Sequence, residues 1–429
     1  MSSSSPSPSA ARPTRDEIAA RIGAIVGRDR IRPPRGPEAA AAIAIAEPAA
    51  DGEVAEIVRA CEADRIETAP IGAARTMSQI RRAPVALGIS LARMARIVAY
   101  EPADMTLAVQ AGASVGEVNR ATDSARQHLP VDPRNPDATT IGSLIAASHS
   151  GPLRLSEGTA RDLLIGIRYV GREGRIVKGG GRVVKNVAGY DLMKVMGGSF
   201  GTLGIIVEAT FKVRPIPEHR AAAFAGFGGA GDAFDAARRL NDALPLSYLE
   251  VLSPAAAHMC GCDAAFVVVA GFSGSRGEVD DQWNSIRHLA PAARLLEASE
   301  ADALYARIRD LDFSTAPIAA LVAMPPAELA AALMESGAEF AAHAGCGVAK
   351  VFLAGAHDET RVAQAISRWR RRARAARGNL RIIRRDPSMR AWLDIFDTPD
   401  DGALRLMKRL KAAFDPAGIF NPGCFVGGI

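Results

Sequence analysis

A cluster of glycines directly ahead of a strand-forming run constrains the fold of this chain more than any other feature. The cluster lies within Lys185–Pro215 and leads into 205–213, IIVEATFKV, whose β-branched residues predict a strand. Glycine loses more backbone entropy on folding than other residues do. A high density of it therefore indicates positive φ angles or close approach of the backbone to a flat or anionic group. Four glycines fall within eight residues: Gly197, Gly198, Gly201 and Gly204.

Composition and motifs argue against several classes of function. The chain contains neither the phosphate loop G-x-x-x-x-G-K-[ST] nor a G-x-G-x-x-G placed between a strand and a helix. Lys and Arg number 52 against 47 Asp and Glu, and aromatic residues make up 5%, so nothing indicates nucleic acid as a partner. The five cysteines are scattered without a CxxC pair, which argues against a zinc ribbon or iron–sulfur cluster and indicates reduced thiols.

The sequence gives no sign of a targeting or membrane-spanning segment. Met1–Arg15 is a Ser/Pro/Ala tail that we expect to be disordered, and it lacks the basic-then-apolar plan of a signal peptide. No apolar run approaches the length of a membrane span. We therefore expect a soluble, cytoplasmic protein.

The first half of the chain predicts an α+β domain over residues 16–216. Strands and helices alternate irregularly there, which favours α+β over a doubly wound sheet. Asp51–Ala63 has an apolar stripe at helical spacing, and Ser114 with Glu117 predicts a capped helix start. The small residues that begin at Thr140 predict another helix.

The second half predicts a separate α+β unit over residues 217–402, with residues 403–429 as a third segment. Two similar groups of elements indicate antiparallel sheets covered by helices on one face, as in a ferredoxin-like fold. The first group predicts strands at 224–226, 248–252 and 265–270 with a helix at 231–242. The second predicts strands at 349–354 and 380–384 around a helix at 358–377.

Four sequence blocks, in this order, resemble one family. The chain is similar to the PCMH-type FAD-binding domain of the vanillyl-alcohol oxidase superfamily, and within it to the FAD-binding E subunit of bacterial glycolate oxidase (glycolate dehydrogenase). The blocks are Ala138–Ser143; Ser150–Pro152 with Gly158–Asp162; Lys185–Asp191 with Gly198–Gly204; and Asp415 with Asn421–Gly423.

The resemblance implies a PCMH-type FAD-binding domain of two α+β subdomains, a ferredoxin-like α+β cap, and a C-terminal segment that returns to the flavin domain. It implies FAD as the cofactor. The residues expected to bind it are Gly72, Ala73, Ala74, Arg75, Thr76, Thr140, Gly142, Ser143, Ser148, Gly151, Gly201, Gly204, Ile206 and Asn421. Segments 70–76 and 140–143 are expected to hold the pyrophosphate, by inward amides and a helix N-terminus. Gly201 and Gly204 are expected near the flavin and adenine.

Two departures from the family pattern qualify these expectations. The first loop usually carries consecutive glycines, whereas this chain has Ala73-Ala74 followed by Arg75, so the loop is rearranged or binds the pyrophosphate less tightly. The loop has no histidine, so we expect non-covalent FAD. Cap histidines such as His258 and His343 stand alone, so we expect no metal site and assign catalysis to no side chain.

Several residues keep two interpretations. His149 either touches the cofactor or substrate or is a structural histidine. Tyr190 and Asp191 either pin their turn or act in acid–base chemistry. Gly179–Gly181 is a hairpin end or a phosphate cradle. The arginines of 368–377 form a solvated cap face or a docking surface for an acidic partner.

The expected function is that of an FAD-binding subunit. It would oxidise glycolate or a similar 2-hydroxy acid in a complex with a catalytic FAD subunit and an iron–sulfur subunit, and would meet a membrane only through those partners. Two alternatives stay open. One is a non-catalytic structural subunit with weakened flavin binding, and the other is a self-sufficient FAD dehydrogenase of another alcohol or sugar acid.

Overall fold

The computed structural model describes residues 13–73, 75–181, 191–296, 298–355 and 358–429. The described chain begins with a small α/β layer. The helix predicted at Asp51–Ala63 is present with those bounds. The elements are α1 Arg15–Val26, β1 Ile31–Arg32, β2 Ala42–Ala46, α2 Asp51–Ala63, β3 Thr68–Ile71, α3 Arg75–Ile80 and β4 Val85–Ser90. The sheet order is β1-β2-β4-β3, with β2, β4 and β3 parallel. Helices α1 and α2 bury apolar stripes against the sheet.

A second layer follows, built on an antiparallel sheet in the order β5-β6-β10-β8-β9. Its elements are β5 Ile97–Glu101, β6 Thr106–Gln110, α4 Val115–Thr122, β7 Gln127–His128, α5 Ile141–Ala146, α6 Arg154–Glu157, α7 Ala160–Leu163, β8 Leu164–Val170, β9 Ile176–Gly180, α8 Leu192–Met196, β10 Ile205–Lys212 and β11 Arg214–Pro215. Ser114 and Glu117 form the predicted capping box of α4. The two layers are called the N-terminal part (residues 15–215) below.

The glycine cluster forms the turn that delivers the chain into β10. Gly198, Gly201 and Gly204 have φ angles of 75°, 70° and 148°, as the sequence predicts, whereas Gly197 does not need a positive φ. A Cβ on Gly201 would lie 2.5 Å from Cγ of Pro70, at the end of β3. This turn therefore packs directly against the first layer.

The rest of the chain forms an eight-stranded antiparallel sheet, called the cap (residues 219–385) below. Its first unit is β12 His219–Phe227, α9 Ala230–Ala243, β13 Tyr248–Leu252, α10 Pro254–Met259, β14 Phe266–Gly274, α11 Arg276–Leu289 and β15 Arg294–Leu296. The connecting helix is α12 Ala298–Arg309. The second unit is β16 Ile318–Ala323, α13 Pro326–Met334, β17 Glu339–His343, β18 Val348–Phe352, α14 Glu359–Ala375 and β19 Asn379–Arg385.

The cap is two ferredoxin-like units joined edge to edge. The strand order β15-β12-β14-β13-β17-β18-β16-β19 gives each unit the order 4-1-3-2, and β13 pairs with β17 at the joint. The mixed α+β fold predicted from the sequence is confirmed. The expectation of helices on one face is wrong, because α9, α11, α13 and α14 cover one face while α10 and α12 lie on the other.

The chain ends beside its own first layer. Helix α15 (Asp401–Phe414) is followed by an extended segment, in which Ile419 accepts a hydrogen bond from the amide of Thr68 at 2.7 Å. The amide of Asn421 donates to the Thr68 carbonyl at 2.6 Å. The division at residues 216 and 402 stays a prediction. Among the described residues, no helix is both long and apolar enough to cross a membrane.

Candidate cofactor and substrate site

A cavity of about 760 Å³ lies between the N-terminal part and the cap sheet. The N-terminal part lines it with the loop after β3, the start of α5 and the glycine turn before β10. The cap lines it with residues of β16, β17, β18 and β19, among them Leu321, His343, Lys350 and Arg381. The topology thus brings together segments more than 300 residues apart in the chain, such as Thr76 and Arg381.

Most of the residues predicted to bind the cofactor line this cavity. They are Gly72, Ala73, Thr76, Thr140, Gly142, Ser143, Ser148, Gly201, Gly204 and Ile206. Ala74 and the side chain of Arg75 lie outside the described residues. Gly151 and Asn421 are not in the cavity wall, and both have structural contacts instead.

Gly151 and Asn421 hold loops that shape the cavity. The amide of Gly151 donates to Oδ1 of Asp132 at 3.2 Å, and a Cβ on Gly151 would lie 2.1 Å from the Asp132 carbonyl oxygen. Asn421 is fully buried, and its Nδ2 donates to the carbonyl of Phe200 at 2.6 Å. Its Oδ1 accepts from Arg81 at 2.5 Å. Asn421 therefore fixes the glycine turn from behind.

The amide donors available to an anion lie on the loop after β3 rather than on α5. Thr140 caps α5 by accepting from the Ser143 amide at 3.3 Å. The amides of Ile141 and Gly142 already donate to backbone carbonyls, each at 2.8 Å. By contrast, the amides of Gly72 and Ala73, which are both exposed, donate to no other group in the described part of the chain. This loop therefore offers two amide donors to an anion, and binding of the pyrophosphate there stays a prediction.

His149 stands in the wall beside that loop. Its Nε2 lies 3.2 Å from Oγ1 of Thr76. Burial, and next the nearby charge of Arg381, lower the pKa of His149 to about 4, so the imidazole is neutral at pH 7. The contact with Thr76 fits a structural histidine and the place in the wall fits contact with a ligand, so both interpretations stay open.

The other residues with two interpretations are only partly described. Tyr190 lies outside the described residues, whereas Asp191 caps α8 by accepting from the Lys194 amide at 3.2 Å. Asp191 also pairs with Nζ of Lys194 at 2.8 Å, which is a contact that pins the turn. Gly179 and Gly180 belong to strand β9.

The cap side of the cavity is electropositive. Arg381 stacks its guanidinium 5.2 Å from the centre of the Phe200 ring and donates to the Ala147 carbonyl at 3.1 Å. Burial lowers its pKa to about 10, which leaves it charged at neutral pH. The described wall contains a single carboxylate, Asp312. The basic side chains of the wall are Lys350, Arg381, Arg384 and Arg385 on the cap, and Arg134 and Arg154 on the N-terminal part.

Two cap residues in this region were not predicted from the sequence to contribute to the site. Lys350 is 9% exposed, and the nearest acceptor of its Nζ is the Arg309 carbonyl at 3.5 Å. His343 lines the cavity, and its Nδ1 lies 2.6 Å from Oε1 of the fully buried Glu250. His343 stands alone in the sequence because its partner in space, Glu250, is 93 residues away. No group of three metal-binding side chains occurs among the described residues.

Comparison with known proteins matches most of the N-terminal part and the C-terminal segment of the chain. Residues 42–180 match the FAD binding domain family, and residues 388–424 match the C-terminal domain of FAD linked oxidases. The chain is 34% identical to a mitochondrial D-lactate dehydrogenase [cytochrome] of Arabidopsis thaliana over 191 residues, which cover 44% of this chain and 33% of that protein. It is 38% identical to glycolate oxidase subunit GlcE of Escherichia coli over 122 residues, which cover 28% of this chain and 35% of that protein. Each matched stretch thus spans about a third of the relative's own length.

The whole fold has a counterpart among solved structures. The 4-ethylphenol oxidase from Gulosibacter chungangensis superposes with a TM-score of 0.69 at 15% identity, covering 96% of this chain and 97% of that one. At that identity the likeness concerns the fold alone. The family matches and the names of the relatives fit an FAD-dependent oxidoreductase. Together these findings show an FAD binding domain at residues 42–180, a C-terminal segment like that of FAD linked oxidases, and FAD as the cofactor of this chain.

Proposed function

We propose that this chain is the FAD-binding subunit of a glycolate oxidase (glycolate dehydrogenase) complex. It would oxidise glycolate or a similar small 2-hydroxy acid to the 2-oxo acid and pass the electrons to a partner subunit. The observation that carries the proposal is the basic cap wall opposite the FAD-binding wall of one cavity. The relatives named for glycolate and D-lactate support a small 2-hydroxy acid as substrate.

The N-terminal part would hold the cofactor without a covalent bond. The exposed amides of Gly72 and Ala73 would bind the pyrophosphate, and the glycine turn at 198–204 would let the backbone approach the rings. Bound FAD supplies the two-electron oxidant. The protein's contribution is to orient the substrate and to attract its carboxylate.

The cap would bind the substrate through its charge. A 2-hydroxy acid is an anion at neutral pH, and Arg381 is held in place by its stacking on Phe200 and its bond to Ala147. Charge-assisted hydrogen bonds in a cavity shielded from water are stronger than those at a surface. The wall therefore favours a carboxylate over a neutral alcohol, which separates this proposal from oxidation of an uncharged alcohol.

Co-purification of the chain with its partners tests the proposal. We expect a complex in which FAD, released by acid precipitation, is stoichiometric with this subunit, and in which iron is found in another subunit. FAD confined to the partner would overturn the proposal and favour a structural subunit. Turnover of another alcohol or of a sugar acid, but of neither glycolate nor D-lactate, by the isolated chain with a dye acceptor would instead favour a self-sufficient dehydrogenase.

The proposal includes partners and a location. The partners are a catalytic FAD subunit and an iron–sulfur subunit, as the name of the GlcE relative suggests for a glycolate oxidase of several subunits. The proposed location is cytoplasmic, with membrane contact through the complex only. Fractionation of cells with and without the partner genes distinguishes this from direct membrane binding.

A further inference from the structure

The joint between the two cap units places an acid–base pair at the cavity. Glu250 on β13 and His343 on β17 are direct cross-strand partners in the antiparallel register. They share a face of the sheet, and His343 sits at the end of its strand, where it lines the cavity. Helices α10 and α12 also lie on this face, and His343 is the member of the pair that lines the cavity.

The hydrogen bonding leaves one nitrogen of His343 for a ligand. Its Nδ1 is taken by Oε1 of Glu250 at 2.6 Å, while Nε2 has no hydrogen-bond partner among the described residues. The carboxylate is fully buried, and its Oε2 makes no hydrogen bond, so the contact to His343 is the one polar bond it has in the described structure. Such a carboxylate fixes the ring orientation and stabilises the imidazolium when Nε2 takes a proton.

A buried lysine stands on the same face of the neighbouring strand. Val348 pairs with His343 across β17 and β18, and Lys350 lies two residues further along, so both side chains project to the cavity side. Burial lowers the pKa of Lys350, with the charges of Glu250 and Asp132 opposing that effect. In the part of the chain that the structure describes, no carboxylate lies at hydrogen-bond distance from Lys350 Nζ.

We propose that His343 is the catalytic proton acceptor of this chain, that Glu250 is its positioning residue, and that Lys350 binds the substrate carboxylate. The inference rests on the proposed function and adds residues to it. The hydroxyl O–H bond of the 2-hydroxy acid breaks and its proton bonds to Nε2 of His343. The C2–H bond breaks with its electron pair leaving to the FAD oxidant, which is reduced by two electrons, and C2–O becomes the carbonyl of the 2-oxo acid.

The test uses the full chain loaded with FAD and an anaerobic flavin-reduction assay with glycolate and D-lactate. The substitution His343→Gln is expected to slow reduction of the bound flavin by about 10²–10⁴-fold, without changing the FAD content. The exposed His258 on α10 gives the matched control, H258Q, which should reduce as fast as the wild type. Imidazole added to His343→Ala should restore part of the rate, which a merely structural role would not allow.

Oxalate binding tests the role of Lys350, and proton NMR spectroscopy tests the role of Glu250. Lys350→Met should weaken binding of oxalate, measured by calorimetry, by roughly tenfold or more, while Lys350→Arg keeps most of it. Glu250→Gln should slow reduction and remove the shifted proton resonance of the His343 Nδ1–H. Oxalate affinity should change little in both His343 variants.

The outcomes distinguish the two proposals. If the wild-type flavin is reduced by neither acid, the proposed function fails. If the wild type is reduced and H343Q is reduced equally fast, the function stands and the assignment of His343 is overturned. Loss of FAD or of oxalate binding in both His343→Gln and His343→Ala would show a structural role for His343 and would equally overturn it.

Discussion

At the scale of single residues, the glycine turn shows why two neighbouring glycines differ in importance. Gly198 and Gly201 both have positive φ angles, 75° and 70°. A Cβ on Gly198 would meet only Ser148 Cβ at 3.9 Å, whereas one on Gly201 would lie 2.5 Å from the Pro70 ring. Both positions have a positive φ angle that favours glycine. Of the two, only Gly201 also leaves no room for a side chain, because it packs against Pro70 of the first layer.

Alanine substitutions separate these two requirements. Gly198→Ala should cost about 1 kcal/mol of unfolding free energy, since alanine is strained in the left-handed region. Gly201→Ala should cost about 2 kcal/mol more, because the ring of Pro70 must move, and FAD content should fall with it. Urea unfolding with flavin quantification measures both. Equal losses in the two variants would show that contact with Pro70 is unimportant.

His149 predicts an acid sensitivity of the apo-protein. Its pKa is lowered to about 4 in the folded chain, from an ordinary value of 6.5, chiefly by burial. The unfolded chain therefore binds a proton between pH 6.5 and 4 that the folded chain does not, so stability falls as pH falls through that window. From pH 7 to pH 5 the loss due to His149 is about 2 kcal/mol.

The variant His149→Asn should remove that part of the pH dependence. Urea unfolding at the two pH values gives the difference, with the exposed His219→Asn as the matched control. The same pH dependence in His149→Asn as in the wild type would contradict the account of a buried neutral histidine.

At the scale of elements, the backbone of the loop after β3 bears on how the pyrophosphate is held. Ala73 replaces an expected glycine, yet it is not among the non-glycine residues with positive φ. Ala73 is thus accommodated without the strain of the left-handed region, whereas Ala74 lies outside the described residues. Because Ala73 is not strained in this way, its presence gives no reason to expect weak binding of the pyrophosphate.

Restoring glycine there should bring no gain. Ala73→Gly should leave the FAD dissociation constant unchanged within about twofold, because no strain is relieved and the loop becomes more flexible when free. Titration of the apo-protein with FAD, followed by flavin fluorescence quenching, measures it. A clear tightening would instead support a degenerate loop and the structural-subunit alternative.

The arginines of α14 also have more internal partners than the sequence shows. Arg370 and Arg374 pair with Asp397 at 3.0 and 3.3 Å, and Arg372 pairs with Glu335. These contacts tie α14 to neighbouring segments of the chain. They fit the interpretation of a cap face, and docking of an acidic partner stays a prediction.

Local features of the sequence were sufficient for many elements. The apolar stripe of α2, the capping box of α4 and the Thr140 cap of α5 depend on residues within four positions of one another, so their physics is readable from the chain. The Glu250–His343 pair is not readable in this way. It depends on which edge strands of the two cap units meet and in what register, and that is decided by packing of the whole sheet.

At the scale of the whole molecule, contacts between the cap and the N-terminal part close the cavity. Tyr305 of α12 donates its hydroxyl proton to Oδ2 of Asp132 at 2.5 Å. Asp132 also accepts from the amides of Gly151 and Leu153, and burial raises the pKa of its carboxyl. Nearby, Nη2 of Arg134 pairs with Asp312 at 2.7 Å.

Removing one hydroxyl should loosen this contact. Tyr305→Phe leaves a buried carboxylate with one donor fewer, so we expect a loss of about 1–3 kcal/mol in unfolding free energy and faster quenching of the bound flavin by iodide. Tyr169→Phe is the control, since the Tyr169 hydroxyl makes no hydrogen bond among the described residues. If both variants lost the same unfolding free energy and showed the same iodide quenching, the bond between Tyr305 and Asp132 would not be what holds the cap against the N-terminal part.

The central claim is that this chain binds FAD in the cavity and presents it to a small 2-hydroxy acid. Anaerobic titration of the purified complex with glycolate and with D-lactate, followed by the visible flavin absorbance, tests it most directly. The account predicts that FAD bound to this subunit is bleached stoichiometrically by at least one of the two acids. A subunit without FAD, or one whose FAD stays oxidised while the partner's flavin is reduced, would contradict it.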